Sequence, residues 1–257
     1  MSGMLGTIVA EIAIVLCVAA GAVGAHFLVQ RRADYRRFSS HNDVAGFLIS
    51  VVGIVYAVLL GFVIVVVWER YTATQNVVNG EVAAVADVYR IAAAFPAPLR
   101  LKVRSQLAEY IGVVVRDEWP QMDGSNVPSV APVLEAAAHE IDLFQPGNVG
   151  QGDAHEAAMA ALQRLFDARH QRLSAVEPSV LPVLWTALIA GAIVTLGFAY
   201  LFGTENRGAQ LLMTAALAGI MAVLFVVIYE FDTPFGGAVA VSDVQWTTLQ
   251  QRLPSIP

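Results

Sequence analysis

Three ionisable side chains lie within or next to the long apolar stretches of this chain. Glu11 lies inside the first stretch, Glu69 directly follows the second, and Asp232 follows the fourth. Ionisable groups at membrane depth are costly, so they commonly pair with another group or face a water-filled path. Glu11 is the deepest of the three, whereas Glu69 and Asp232 are close enough to an edge to reach water. We treat all three as candidate functional residues.

His41, Asn42 and Asp43 form a polar group directly before the second apolar stretch. Asn42 or Asp43 can cap the helix that starts there, because a side-chain oxygen can accept from its free backbone N–H groups. In a symmetric oligomer the three groups would repeat around an axis, next to Arg36 and Arg37, and form a charged ring at a pore mouth. Both interpretations stay open.

Small residues recur along one face of the second apolar stretch at steps of three and four positions. They are Gly46, Ser50, Gly53, Ala57 and Gly61. Lipid supplies no hydrophobic force between helices, and small residues allow helix backbones to approach closely. The first and third stretches carry comparable series at steps of four. The face predicts either close packing inside a helix bundle or the lining of a subunit interface or pore.

Motifs for catalysis or for binding metals are nearly absent. His155 and Glu156 match the first half of a zinc-binding HExxH motif, but Met159 occupies the position of the second histidine ligand. The glycines at 147–152 follow no predicted strand and precede no Lys-Ser or Lys-Thr pair, so they predict a loop and not a phosphate site. Cys17 is the only cysteine, which excludes an intrachain disulfide. The sequence therefore predicts no enzyme, no cofactor and no metal site.

The amino-acid composition indicates whether these residues lie in a soluble protein or in a membrane protein. Of the 257 residues, 57% are hydrophobic and only 14% are charged, whereas soluble chains average about 45–50% apolar and about 25% charged. The net charge of −6 argues against nucleic acid as a partner. Four apolar stretches reach the roughly 20 residues that a membrane-spanning helix needs, and lipid requires each to be helical. They cover residues 7–29, 44–68, 178–204 and 208–229.

The segment between the second and third stretches predicts a separate helical unit. Apolar residues recur there with helical spacing, and prolines interrupt it near 95–98, 119–120 and 146–147. We predict an all-α fold: an integral membrane protein with four transmembrane helices and a helical extramembrane bundle between spans 2 and 3. The predicted regions are residues 5–68 (transmembrane helices 1 and 2), 69–181 (extramembrane domain), 182–231 (transmembrane helices 3 and 4) and 232–257 (C-terminal tail).

Arginine placement predicts the orientation. Arg31, Arg32, Arg36 and Arg37 crowd the short loop between the first two spans, and short basic loops tend to stay in the cytoplasm. Both termini and residues 69–181 would then be extracytoplasmic. Further arginines near the membrane ends of 69–181 reduce the contrast between the two sides.

Two sequence blocks carry a family resemblance. They are His41–Gly46 (HNDVAG) and Asp232–Gly237 (DTPFGG), and shorter matching pieces lie at 56–60, 67–69, 118–120 and 184–185. Together they resemble a bacterial family of membrane proteins of unknown function that is described as bestrophin-like. Bestrophins are oligomeric anion channels with a pore lined by helices from every subunit. This chain departs from them, because its second span lacks an aromatic-rich neck and its arginines place the large helical region outside the cytosol.

We therefore predict a homo-oligomeric, multi-pass protein of the bacterial inner membrane. The resemblance implies an ion channel that conducts passively through a pore lined by the second transmembrane helix. The alternative is a non-conducting sensor or scaffold whose extramembrane bundle binds a partner protein. The expected partners are the lipid bilayer, further copies of the chain and inorganic ions, but not nucleic acid.

Overall fold

A computed structural model describes residues 2–32, 42–122, 131–202 and 206–253. All regular structure in these residues is helical, which confirms the predicted all-α fold. The α-helices within the described residues are α1 (Ser2–Arg32), α2 (Asn42–Ile91), α3 (Ala97–Val113), α4 (Ala131–Asp142), α5 (Val149–Ser174), α6 (Pro182–Leu201), α7 (Arg207–Asp232) and α8 (Val244–Arg252). Four of them, α1, α2, α6 and α7, are long and apolar enough to cross a membrane, as predicted.

The chain divides into two compact units, and α2 supplies residues to both. The membrane unit comprises residues 1–70, 178–232 and 237–239, and the outer unit comprises residues 71–177, 233–236 and 240–257. Helix α2 runs for 50 residues without a break. The helix ends before Pro96, because proline lacks a backbone donor and restricts the residue before it.

The core of the membrane unit forms where one side of α2 meets α6 and α7. Tyr56, Leu60 and Val67 of α2 are buried there with Leu188 of α6 and Ile228 of α7. The Tyr56 hydroxyl donates to the Leu188 carbonyl at 2.9 Å, so the phenol is satisfied inside the apolar core. Helix α1 packs mainly against α7.

The outer unit has its own hydrophobic core, to which α2, α3, α4, α5 and α8 contribute. Helix α5 begins after Asn148, whose Oδ1 accepts from the Gln151 N–H at 2.9 Å. This cap places Gly150 and Gly152 in the first turn of α5, although the sequence predicted a loop over them. At its C-terminal end α3 continues into a π-helical segment, Val114–Glu118.

The C-terminal region differs from the predicted tail at 232–257. Residues 244–252 form helix α8, and Trp246 on this helix is fully buried. Its ring packs edge-on against Tyr110 with 6.0 Å between centroids. The tryptophan side chain supplies a large apolar area, and its burial holds α8 against the core of this unit.

Candidate functional site

The small-residue face of α2 has open space along its middle. A Cβ atom added at Gly53 or Gly61 would meet no described atom within 4 Å. At the start of the face, a Cβ on Gly46 would lie 3.8 Å from the Phe202 ring, and the Ser50 hydroxyl donates to the Gly46 carbonyl at 2.7 Å. Within the described part of one chain, the two central glycines therefore make no close helix contact.

Gly191 on α6, in contrast, lies directly against another side chain. A Cβ atom at this position would overlap the ring of Tyr56 on α2. The ring is held in place from its far end by the hydrogen bond to Leu188. Only glycine therefore allows α6 and α2 to approach this closely.

The predicted polar mouth is described only in part. Asn42 and Asp43 lie in the first turn of α2, and His41 lies outside the described residues. The pore or interface role of the mouth and of the small-residue face stays a prediction.

Two of the membrane-edge acids lie in different environments. Glu69 is exposed on α2. Asp232 is only 2% exposed, and its Oδ1 accepts from the Ser179 N–H at 2.7 Å, the Ser179 hydroxyl at 2.8 Å and the Val180 N–H at 2.9 Å. The Asp232 carboxylate therefore fixes the backbone that leads into α6.

Glu11 lies next to a second carboxyl group, that of Glu230 near the end of α7. Glu230 is buried, and its Oε2 accepts from the backbone N–H of Ala238 at 2.6 Å and of Val239 at 3.1 Å. The turn that presents these donors contains Gly237 with φ of 77°. A Cβ at Gly237 would overlap the Glu230 carboxyl group, so glycine is required by both backbone and space.

A network of neutral polar groups lies where α1 packs on α7. His26 on α1 is fully buried, and its Nδ1 is 2.7 Å from the Thr214 hydroxyl on α7. The Thr214 hydroxyl donates its one hydrogen to the Gln210 carbonyl at 3.0 Å. It must therefore accept from His26 Nδ1–H, and the neutral imidazole leaves Nε2 as an acceptor.

The Gln30 amide completes this network. Its Nε2 lies 3.1 Å from His26 Nε2 and donates to Gln210 Oε1 at 2.6 Å. The Gln210 amide in turn donates to the Phe202 carbonyl. Each hydrogen bond named in this network joins uncharged groups, which is the arrangement that a low-dielectric setting favours.

The outer unit buries a network of opposite charges. Arg172 on α5 is fully buried, and it donates to Glu81 on α2 through Nε at 2.5 Å and through Nη2 at 3.0 Å. Its Nη2 also lies 3.5 Å from Glu118 Oε2. Arg169 pairs with Glu118 at 3.1 Å, and the Tyr110 hydroxyl donates to Glu81 at 2.6 Å.

Burial shapes the titration of this network. Burial raises the pKa of Glu118, and the attraction of Arg172 and Arg169 only partly opposes it. Burial, reinforced by the Glu81 carboxylate, raises the pKa of Tyr110 well above its usual value. For Arg172, burial lowers the pKa, but Glu81 and Glu118 outweigh it and hold the guanidinium charged. The network therefore has a permanently charged centre.

Comparison with known sequences identifies the family. The sequence profile of the bestrophin-like domain matches residues 16–245. The chain belongs to the bestrophin-like family. No curated protein sequence matches the chain significantly.

Solved structures share the bestrophin-like fold over nearly the whole chain. A variant of a bacterial bestrophin homologue from Klebsiella pneumoniae gives a TM-score of 0.70 at 14% identity, covering 94% of this chain and 99% of that one. A structure of that homologue phased with zinc gives 0.67 at 13% identity, and another variant gives 0.65 at 16%; each covers 97% of this chain and 98% of the other. These likenesses establish the fold.

Some polar residues of this bestrophin-like chain escaped sequence reasoning. His26 carries no formal charge and therefore does not interrupt the first apolar stretch. A histidine followed by Gln30 one turn later nevertheless indicates a polar face on this helix. Glu230 precedes Asp232 by two residues and was overlooked beside it. Glu81 and Arg172 are 91 residues apart, and nothing in their spacing connects them.

Proposed function

We propose that this bestrophin-like membrane protein assembles into a homo-oligomer that conducts inorganic ions passively, with the small-residue face of α2 lining the shared axis. The observation that supports this role is the open space beside Gly53 and Gly61 on a helix whose adjoining face packs in the core. A membrane helix face of this kind has room for other subunits, water or ions. Family membership and the shared fold support the same proposal.

The mouth of this axis would carry charged groups of both signs. Asn42 and Asp43 would repeat around the axis in a closed oligomer. A carboxylate ring concentrates cations, whereas arginines such as Arg36 and Arg37, which precede α2 in the sequence, favour anions. The sign of the selectivity thus depends on which group lies nearer the ion path, so we name no ion.

Matched substitutions on α2 test the proposed axis. Gly53→Leu should either abolish ion flux in proteoliposomes or prevent the oligomer from forming, because the added bulk would fill the shared interface. Ile54→Leu is the control, since Ile54 is 66% exposed on another part of the helix surface and the change keeps volume and polarity. Normal assembly and flux in Gly53→Leu would contradict the proposal.

Asp43→Asn separates conduction from capping. If Asp43 faces the ion path, its neutralisation should shift the permeability ratio towards anions, and the shift should shrink at high salt because exposed charges are screened. If Asp43 only caps α2, asparagine caps equally well and flux stays unchanged. Absence of any flux from the purified parent oligomer would favour the non-conducting sensor or scaffold.

We propose that the segment between α1 and α2, which carries Arg36 and Arg37, is cytoplasmic and that residues 69–181 are extracytoplasmic. In a Cys17→Ser background, a cysteine introduced at Ser125 should react with a membrane-impermeant thiol reagent in cells whose inner membrane is intact. Labelling that appears only after lysis would reverse the orientation.

A further inference from the structure

The membrane unit contains a cavity between α1, α6 and α7 that the proposed ion path does not use. Its volume is about 590 Å³, within the roughly 300–1,000 Å³ range of small-molecule sites. Most of its wall is apolar and includes Ile14 and Val18 of α1, Leu196 of α6 and Phe225 of α7.

The cavity is polar at one end only. Helices α1 and α7 run antiparallel, since Glu11 lies beside Glu230 and His26 lies beside Thr214. Glu11, Glu230 and Tyr229 thus line one end of the cavity, and Val18 and Ala218 line the other. Along α7 the wall from Ala218 to Glu230 spans about 18 Å at the helical rise of about 1.5 Å per residue.

The polar end of the cavity holds two carboxyl groups, those of Glu11 and Glu230. Glu230 Oε2 is occupied by two backbone N–H groups, whereas Glu11 Oε1 is buried without a hydrogen-bond partner in the described residues. No lysine, arginine or histidine is among the residues that line the cavity in the described part of the chain. A buried acceptor left unsatisfied is costly, so this end favours a ligand that brings both positive charge and N–H donors.

We propose that this cavity binds an amphiphile with a primary ammonium head group. The ammonium would lie beside the Glu11–Glu230 pair and donate to Glu11 Oε1, the carboxyl oxygen that lacks a partner in the described residues. The alkyl chain would extend along α7 towards Val18 and Ala218, where it replaces lipid against an apolar wall. A neutral head group such as a hydroxyl could donate a hydrogen bond but would bring no positive charge, and an anionic head group would add a like charge.

Binding of dodecylammonium to the purified full-length protein in a neutral sugar-based detergent tests this proposal. The parent protein should bind dodecylammonium at least about tenfold more tightly than dodecanol, because a charge-assisted hydrogen bond distinguishes the two head groups. Glu11→Gln should remove most of this difference while keeping a side chain of the same size. Glu135→Gln, an exposed acid in the outer unit, is the matched control and should bind as the parent does.

A second variant tests the half of the cavity that would bind the alkyl chain of the amphiphile. Ala222 lines the cavity and is 5% exposed, so Ala222→Leu should fill the space beside it and weaken binding of dodecylammonium and dodecanol alike. Equal binding of the two probes by the parent would overturn the proposal, as would full dodecylammonium affinity in a folded Glu11→Gln protein. No binding to the parent oligomer would show that the cavity is closed in the assembly, which also overturns it.

Discussion

The two units bury polar side chains in different ways. In the outer unit, Arg172 lies fully buried between the carboxylates of Glu81 and Glu118, so charge is compensated by opposite charge. In the membrane unit, the buried network around His26 and Thr214 contains hydroxyl, amide and neutral imidazole groups instead.

The difference shows how the cost of burial depends on what remains when a partner is lost. Breaking a buried ion pair leaves an uncompensated charge, which is far more costly than the pair itself is stabilising. Breaking a neutral hydrogen bond leaves a dipole, and membrane hydrogen bonds contribute only tenths of a kcal/mol on average. Glu11 and Glu230 depart from the membrane pattern, because two acids meet and no lysine, arginine or histidine is among the described residues that line their cavity.

The largest effect is expected at the centre of the outer network. Arg172→Met removes the cation that donates two hydrogen bonds to Glu81 and should cost about 3–5 kcal/mol of unfolding free energy. Arg164→Met is the control, because Arg164 is largely exposed and lies 3.6 Å from Asp87; such exposed pairs contribute about 0–1 kcal/mol. Denaturant or thermal unfolding of both proteins in detergent measures the difference, and equal losses would contradict the comparison.

Tyr110→Phe should produce a smaller loss in the same network. It removes a hydroxyl that donates to Glu81 at 2.6 Å, and a hydrogen bond to a charged group contributes about 1.5–3 kcal/mol. Tyr89→Phe is a matched control, since Arg104 contacts the face of that ring and phenylalanine keeps this contact. If the two variants unfold alike, the Tyr110 hydroxyl does not stabilise the Glu81 carboxylate.

Local patterns predicted the elements but not their partners. Hydropathy is read along the chain, so the four long apolar helices and the break before Pro96 could be placed from sequence. Gly191 belongs to the series of small residues in the third apolar stretch, and Gly53 belongs to the similar series in the second. Yet Gly191 faces a tyrosine ring, whereas Gly53 faces open space. Which residue meets a glycine depends on tertiary packing, which spacing alone does not contain.

Contacts between residues far apart in the sequence could not be predicted, for the same reason. Glu81 and Arg172 lie on helices that were each predicted, but their register against one another was not. Trp246 lies in a short polar segment whose local pattern gives no core signal, and its burial depends on contact with Tyr110 of α3. Asp232 was found as a membrane-edge acid, whereas its three donors at Ser179 and Val180 appear only in the fold.

In the membrane unit, the free energy of unfolding should depend more on close packing than on charge. Gly191→Ala places a methyl group where the Tyr56 ring lies, and overpacking of this kind costs about 1–3 kcal/mol. Gly53→Ala is the matched control for the fold of a single subunit, because its methyl group meets open space. Unfolding measurements should show a lower free energy of unfolding for Gly191→Ala than for Gly53→Ala. A Tyr56→Leu background should reduce the loss caused by Gly191→Ala, since the two residues are in contact.

The smallest loss is expected in the neutral network of the membrane unit. Thr214→Val keeps the shape of the side chain but removes the acceptor of His26 Nδ1–H, which lies 2.7 Å away. The expected cost is about 0.6 kcal/mol, the average for hydrogen bonds between membrane helices. Thr195→Val is the control, because the Thr195 hydroxyl donates at 2.8 Å to the Gly191 carbonyl of its own helix.

The difference between these two threonine variants isolates the contact between α1 and α7. Both lose a hydroxyl that bonds a carbonyl four residues earlier, so that shared loss cancels and the His26 contact remains. Unfolding in detergent should place Thr214→Val only slightly below Thr195→Val. If Thr214→Val instead costs as much as Arg172→Met, the imidazole carries a charge that the hydroxyl and amides must stabilise, and the contrast between the two units fails.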